Sequence, residues 1–144
     1  MTRTQSIKTL LMSRKHVGVE DLIYYDQQNT IVLPVDVNGQ QSKILFRLNR
    51  YSYMIVVHES VMLNFMDGEE YNDDEIAGDI ELMVQTVKDL KLKLIEKRLF
   101  GMRAYIPLGL DSRRFAQTKH FTEAIVGIFG RKIGTYTVKR INSK

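Results

Sequence analysis

The sequence predicts a single α+β domain over residues 1–144: an antiparallel β-meander, a long amphipathic helix and a β-α-β tail. Three observations predict it. Runs rich in β-branched and aromatic residues, separated by turn residues, fill positions 22–57. Apolar residues then recur at helical spacing from Ile76 to Leu94. Beyond Gly101, two strand-like runs flank an apolar helical stretch. Strands gathered ahead of helices point to an α+β arrangement.

The elements follow in order. Ile7, Leu10 and Leu11 fall on one face of a short helix, with Arg3, Lys8, Arg14 and Lys15 around it. Residues 1–16 therefore suit either a helix packed on its own domain or a mobile, partner-binding arm. Leu22–Tyr25 reads as a short strand ending at Asp26-Gln27-Gln28-Asn29. Ile31–Val37 is a second strand, and Pro34, which cannot donate to a ladder, places it at an edge or a bulge. Asn38-Gly39 is a strong turn dipeptide because both residues tolerate positive φ. Lys43–Leu48 and Tyr51–Val57 complete the meander across the Asn49-Arg50 turn, whereas Val61–Phe65 is apolar but too short to assign.

Asn72 or Asp73 can cap the long helix, and the acids after it suit the positive end of the helix dipole. Its stripe, Ile76, Ile80, Met83, Val87, Leu90 and Leu94, steps by four and three, and the helix is expected to run to about Phe100 with Gly101 as its stop. The same spacing matches a coiled-coil seam, so these six residues are candidates for an oligomer or partner contact as well as for the core. Met102–Leu108 reads as a strand. A second helix is expected from about Arg113 to Phe129, capped by Asp111 or Ser112 and turning Phe115, Phe121, Ile125 and Phe129 toward the core. Ile133–Ile141 is the final strand.

Composition excludes several chemistries. Without cysteine there is no disulfide, thiolate metal site or thiol nucleophile. His16, His58 and His120 lie far apart, and there is no Gly-x-Ser-x-Gly elbow, Walker lysine or dinucleotide fingerprint. No cofactor is expected. No window approaches the roughly 18 apolar residues of a membrane span, and the start lacks a signal-peptide core. The expectation is a cytoplasmic protein with no membrane partner.

The charge is segregated along the chain. Residues 1–66 carry a net charge of +2, residues 67–96 carry −7 and residues 97–144 carry +9. Helix-dipole complementarity accounts for Asp73, Asp74, Glu75, Lys97 and Arg98, but not for the rest of the basic third. Lysine and arginine release counterions from phosphates, and interleaved aromatics stack on bases. That makes Arg103, Arg113, Arg114, Lys119, Arg131, Lys132, Lys139 and Arg140 candidate phosphate contacts, with Tyr136 as the stacking residue. An acidic face of one copy meeting a basic face of another is the alternative use of the same asymmetry.

Two resemblances bear on this. Gly127-Ile128-Phe129-Gly130-Arg131-Lys132-Ile133, a Gly-x-x-Gly string beside basic residues, resembles the KH-domain loop, which implies a clamp on single-stranded nucleic acid. The order of three strands, helix, strand, helix, strand is similar to the RNase H architecture. That resemblance implies a two-metal nuclease with carboxylates at Asp36, at Glu81 or Asp79, and at Asp111. The sequence favours a non-catalytic nucleic-acid-binding protein. An assembly or regulatory protein acting through protein contacts is the first alternative, and a metal-dependent nuclease is the second.

Overall fold

The Asn38-Gly39 dipeptide sets the first hairpin. Asn38 and Gly39 take φ of 54° and 79°, the two positive values of a type I′ turn. Val37 pairs Gln40, and the ladder runs back to Thr30 against Arg47. This joins β2 (Thr30–Val37) to β3 (Gln40–Leu48), and the backbone amide of Gly39 donates to Asp36 Oδ1 at 2.9 Å. The meander continues through β4 (Ser52–Val57) and β5 (Ser60–Phe65), the apolar run too short to assign from sequence. The structure, a computed structural model, describes residues 2–16, 18–48, 52–58, 60–65, 72–110, 115 and 121–141, with the backbone alone at 52, 60–65 and 121–123.

Alternation places Ile44, Phe46 and Leu48 of β3 and Tyr53, Ile55 and Val57 of β4 in one buried cluster. The free edge of β2 is shared. β1 (Ile23–Tyr25) pairs its residues 30–32, and β8 (Arg131–Arg140) pairs residues 35–37. Pro34 falls in the gap between them, where no ladder needs its missing N–H.

The long helix is where the structure overturns the sequence reading. α2 spans Asp73–Lys88 only, with the Asn72 side chain accepting from the Asp74 amide at 2.7 Å. Asp89 caps it, Leu90 turns left-handed at φ 60°, and β6 (Lys93–Leu99) follows. Leu90 and Leu94 extend the three-four spacing by coincidence. Lys91-Leu92-Lys93-Leu94-Ile95-Glu96 has the period of a strand, and it buries Leu92, Leu94 and Glu96 on one face. The residues proposed for a partner contact are thereby accounted for. Ile76, Ile80, Met83 and Val87 are sealed in the core with Leu94, and Leu90 stands half-exposed in the loop.

β7 (Met102–Leu108) returns antiparallel to β6, and α3 (Phe121–Phe129) leads into β8. Of the second predicted helix, residues 113–114 and 116–120 lie outside the described residues; Phe115 is buried as expected but is not helical, and Phe129, expected in the core, is exposed at the helix end. Every strand pair is antiparallel, in the order β5-β4-β3-β2-β8-β6-β7. The terminal strands β5 and β7 approach each other, so the sheet curls into a nearly closed barrel. A meander followed by a long helix and a β-α-β tail is therefore replaced by a seven-strand barrel path with short helices. The RNase H-like order goes with it, because five strands precede α2 and a hairpin follows it.

α1 (Arg3–Arg14) lies along α2. Thr2 and Gln5 form a capping box at its start. Arg3 pairs with Asp73 at 2.9 Å, and Arg14 reaches Asp74 at 2.6 Å and Glu81 at 3.0 Å. The acidic start of α2 is thus answered within the chain. In the core, the Tyr53 hydroxyl donates to the buried Asp79 carboxylate, tying α2 to β4. Among the described residues, no helix is long and apolar enough to cross a membrane.

Candidate nucleic-acid interface

The β6–β7 hairpin closes through two residues, Phe100 and Gly101, between the paired Leu99 and Met102. Their φ values of 50° and 80° again describe a type I′ turn. Phe100 is 93% exposed. At the same end, α3 ends at Phe129 and the chain reverses at Gly130 into β8, which pairs β6. A Cβ on Gly130 would stand 2.2 Å from the Val126 carbonyl oxygen and 3.2 Å from that of Arg98, so the reversal requires glycine. Lys97 Nζ donates to the Gly127 carbonyl at 2.8 Å and ties the end of α3 to β6.

The registers then assemble one end of the barrel. Arg98 pairs Arg103 on one side and Arg131 on the other, and Lys97 pairs Lys132. Phe129 and Ile128 are 71% and 73% exposed beside them. Two exposed aromatic rings and a set of cations therefore lie at the same end of the β6, β7 and β8 strands.

Behind the tip the barrel mouth holds a polar cavity of about 240 Å³. A bulge between Glu96 and Lys97 leaves Ile133 without a partner on β6. Glu96, 4% exposed, is the buried charge of the cavity. Its Oε1 accepts from the Tyr136 hydroxyl at 2.7 Å and its Oε2 from Arg98 Nε at 2.9 Å. The Tyr136 hydrogen bond, aided by Arg98 and opposed by burial, holds the Glu96 carboxyl below the usual carboxylate range. The same hydrogen bond pushes the Tyr136 phenol up. Opposite them, Ser42 Oγ lies 2.8 Å from His58 Nδ1, and the His58 ring meets Tyr105 edge-on at 4.7 Å. The Arg103 guanidinium lies over the Tyr105 ring at 5.6 Å. Arg98 and Arg103 thus line the cavity and belong to the tip.

The predicted residues divide. Arg103 and Arg131 share a face with Arg98 at the tip, and Lys132, paired with Lys97, lies on the other face of the same strand end. Lys139 is exposed but opposite Asp36, at the far end of β8. Arg140 is committed to Asp21 at 3.2 Å. Tyr136 is half-buried and lines the cavity, with its hydroxyl engaged by Glu96. Arg113, Arg114 and Lys119 lie outside the described residues. The sequence reading missed Arg98, Phe100 and Glu96, because it placed all three on the long helix. The signal for the turn was an x-Gly pair between two alternating runs.

The described carboxylates among those proposed for metal ions do not converge. Asp36 serves its turn, Glu81 pairs with Arg14, Asp79 bonds Tyr53, and Asp111 lies outside the described residues. Among the described residues, no group of three His, Cys, Asp or Glu side chains could hold a metal ion. The KH-like string also leads into a strand, β8, rather than a helix. The chain matches no family model, no curated protein and no solved structure.

Proposed function

We propose that this chain is a non-catalytic binding protein that holds single-stranded nucleic acid at the barrel tip. One observation carries the reading: Phe100 and Phe129 stand open to solvent at the strand ends that carry the exposed cations Arg103, Arg131 and Lys132. Cations along a strand backbone supply sequence-independent affinity, and each base stacked on an aromatic is worth about 1–3 kcal/mol. A single strand suits the tip better than a duplex because its bases are free to reach the rings. The test is fluorescence anisotropy of labelled single- and double-stranded DNA and RNA across a salt series. Binding that weakens steeply with salt and prefers single strands is the expected result. Absence of binding at low salt would sink the reading.

Self-association or docking on another protein is the second reading. Ile128 and Met102, exposed aliphatic side chains, favour it because they bury area without stacking. Solution mass measured over a range of protein and salt concentrations separates the two. A mass that stays monomeric while anisotropy rises favours nucleic acid.

A further inference from the structure

A second concavity shares no lining residue with the cavity just described. It is a groove of about 680 Å³ between α1 and the segment His16–Tyr24, within the roughly 300–1,000 Å³ of small-molecule sites. Its floor is Leu11, Val19 and Leu22, all buried, and the Tyr24 ring forms one wall. Met12, 61% exposed, overhangs it.

The cations of α1 are divided between two tasks. Arg3 and Arg14 are spent on the acids of α2. Lys8, Leu11, Met12 and Lys15 follow the i, i+3, i+4, i+7 pattern of a separate face, and that face lines the groove. Lys8 Nζ sits 5.1 Å from the centroid of the Tyr24 ring. Neither Lys8 nor Lys15 has an acidic partner among the described residues. Glu20, the acid of the lining, accepts from the Gly18 amide at 3.0 Å. An apolar trough bordered by two unpaired ammonium groups calls for a ligand with an aliphatic body and one anionic end.

We propose that this groove binds a fatty-acid-like amphiphile, its chain against Met12 and the Tyr24 ring over the buried Leu11, Val19 and Leu22, and its carboxylate between Lys8 and Lys15. The site is independent of the barrel tip. Isothermal titration with octanoate, decanoate and dodecanoate, each below its micellar concentration, tests it. Saturable one-to-one binding is expected, tightening about fourfold per added methylene while the chain is being buried. Dodecanol should bind at least about tenfold more weakly, since it lacks the charge that the lysines meet. The Lys8→Glu/Lys15→Glu double variant should lose a similar factor for dodecanoate and none for dodecanol. Met12→Trp, a change at an exposed position, should block the groove. An oligonucleotide at saturating concentration should leave dodecanoate affinity unchanged. No saturable binding at any chain length would overturn the proposal. So would indifference to the lysines, displacement by the oligonucleotide, or a Met12→Trp variant that changes solution mass rather than ligand affinity, which would assign the groove to a second copy of the chain.

Discussion

Two hairpins of this molecule make the same turn with different residues. Between β2 and β3, Asn38-Gly39 takes the type I′ geometry with the dipeptide best suited to it. Between β6 and β7, Phe100-Gly101 takes the same geometry with an aromatic in the left-handed position. A bulky side chain there costs about 1 kcal/mol relative to asparagine. No packing offsets that cost, because Phe100 is 93% exposed. The Asn38 turn is chosen for the fold. The Phe100 turn carries that cost without a packing gain, which is what the proposed stacking role would account for.

The largest expected effect tests those cations. Charge reversal at Arg131 and Lys132 should weaken single-strand binding on the order of 10- to 100-fold and lower the slope of log affinity against log salt by about 1.4. Both side chains are exposed, so the thermal midpoint should hold. Next, Phe100→Asn converts the second turn into a copy of the first. Stability should rise by about 1 kcal/mol in denaturant unfolding, while single-strand affinity falls about 5- to 150-fold if the ring stacks on a base. A variant that gains stability and keeps its affinity would separate the strain from the function. The converse substitution, Asn38→Phe, should cost about 1 kcal/mol of stability and leave affinity alone.

The smallest effect on affinity is expected from Glu96→Gln, which leaves the tip intact and shows itself through pH. The carboxyl is lowered from 4.5 in the folded chain, so its stabilising contribution is present above about pH 4.5 and is lost as pH falls through the lowered value. The thermal midpoints of parent and variant should therefore differ at pH 7 and converge on acidification. On the alkaline side the Tyr136 phenol is raised above 10.0. Its contribution holds below that pH and fades as pH rises through the raised value. Glu96→Gln should weaken that alkaline loss as well, since the carboxylate is its main cause.

The comparison also shows what the sequence could and could not disclose. Asn38-Gly39 announced its turn because both residues favour the backbone it needs. Phe100-Gly101 did not, because its first residue opposes that backbone and the glycine served equally well as a helix stop. The strands at 30–37, 40–48 and 102–108 were legible from β-branched alternation. β6 was hidden by Leu90 and Leu94, which satisfied a helical period while Lys91-Leu92-Lys93-Leu94 satisfied a strand's. Arg103, Arg131 and Lys132 were legible as cations. The meeting of Arg103 and Arg131 was not, since it depends on a register that places Arg98 between them. Arg140 and Tyr136 looked equivalent to their neighbours in sequence, but Arg140 is paired with Asp21 and the Tyr136 hydroxyl with Glu96.

β8 has a kinetic consequence. It is the strand that joins the β2 side of the barrel to the β6 side, and it pairs Arg140 with Val35 across 105 positions of chain. The two hairpins can form early from local contacts, each closing a loop of two residues. Their union must await a contact of high sequence separation, whose loop-closure entropy is met before the core rewards it. Refolding should therefore be slow for a chain of this size. Until β8 docks, the edge of β2 beyond Pro34 stays unpaired, a template for misassembly that the finished barrel removes.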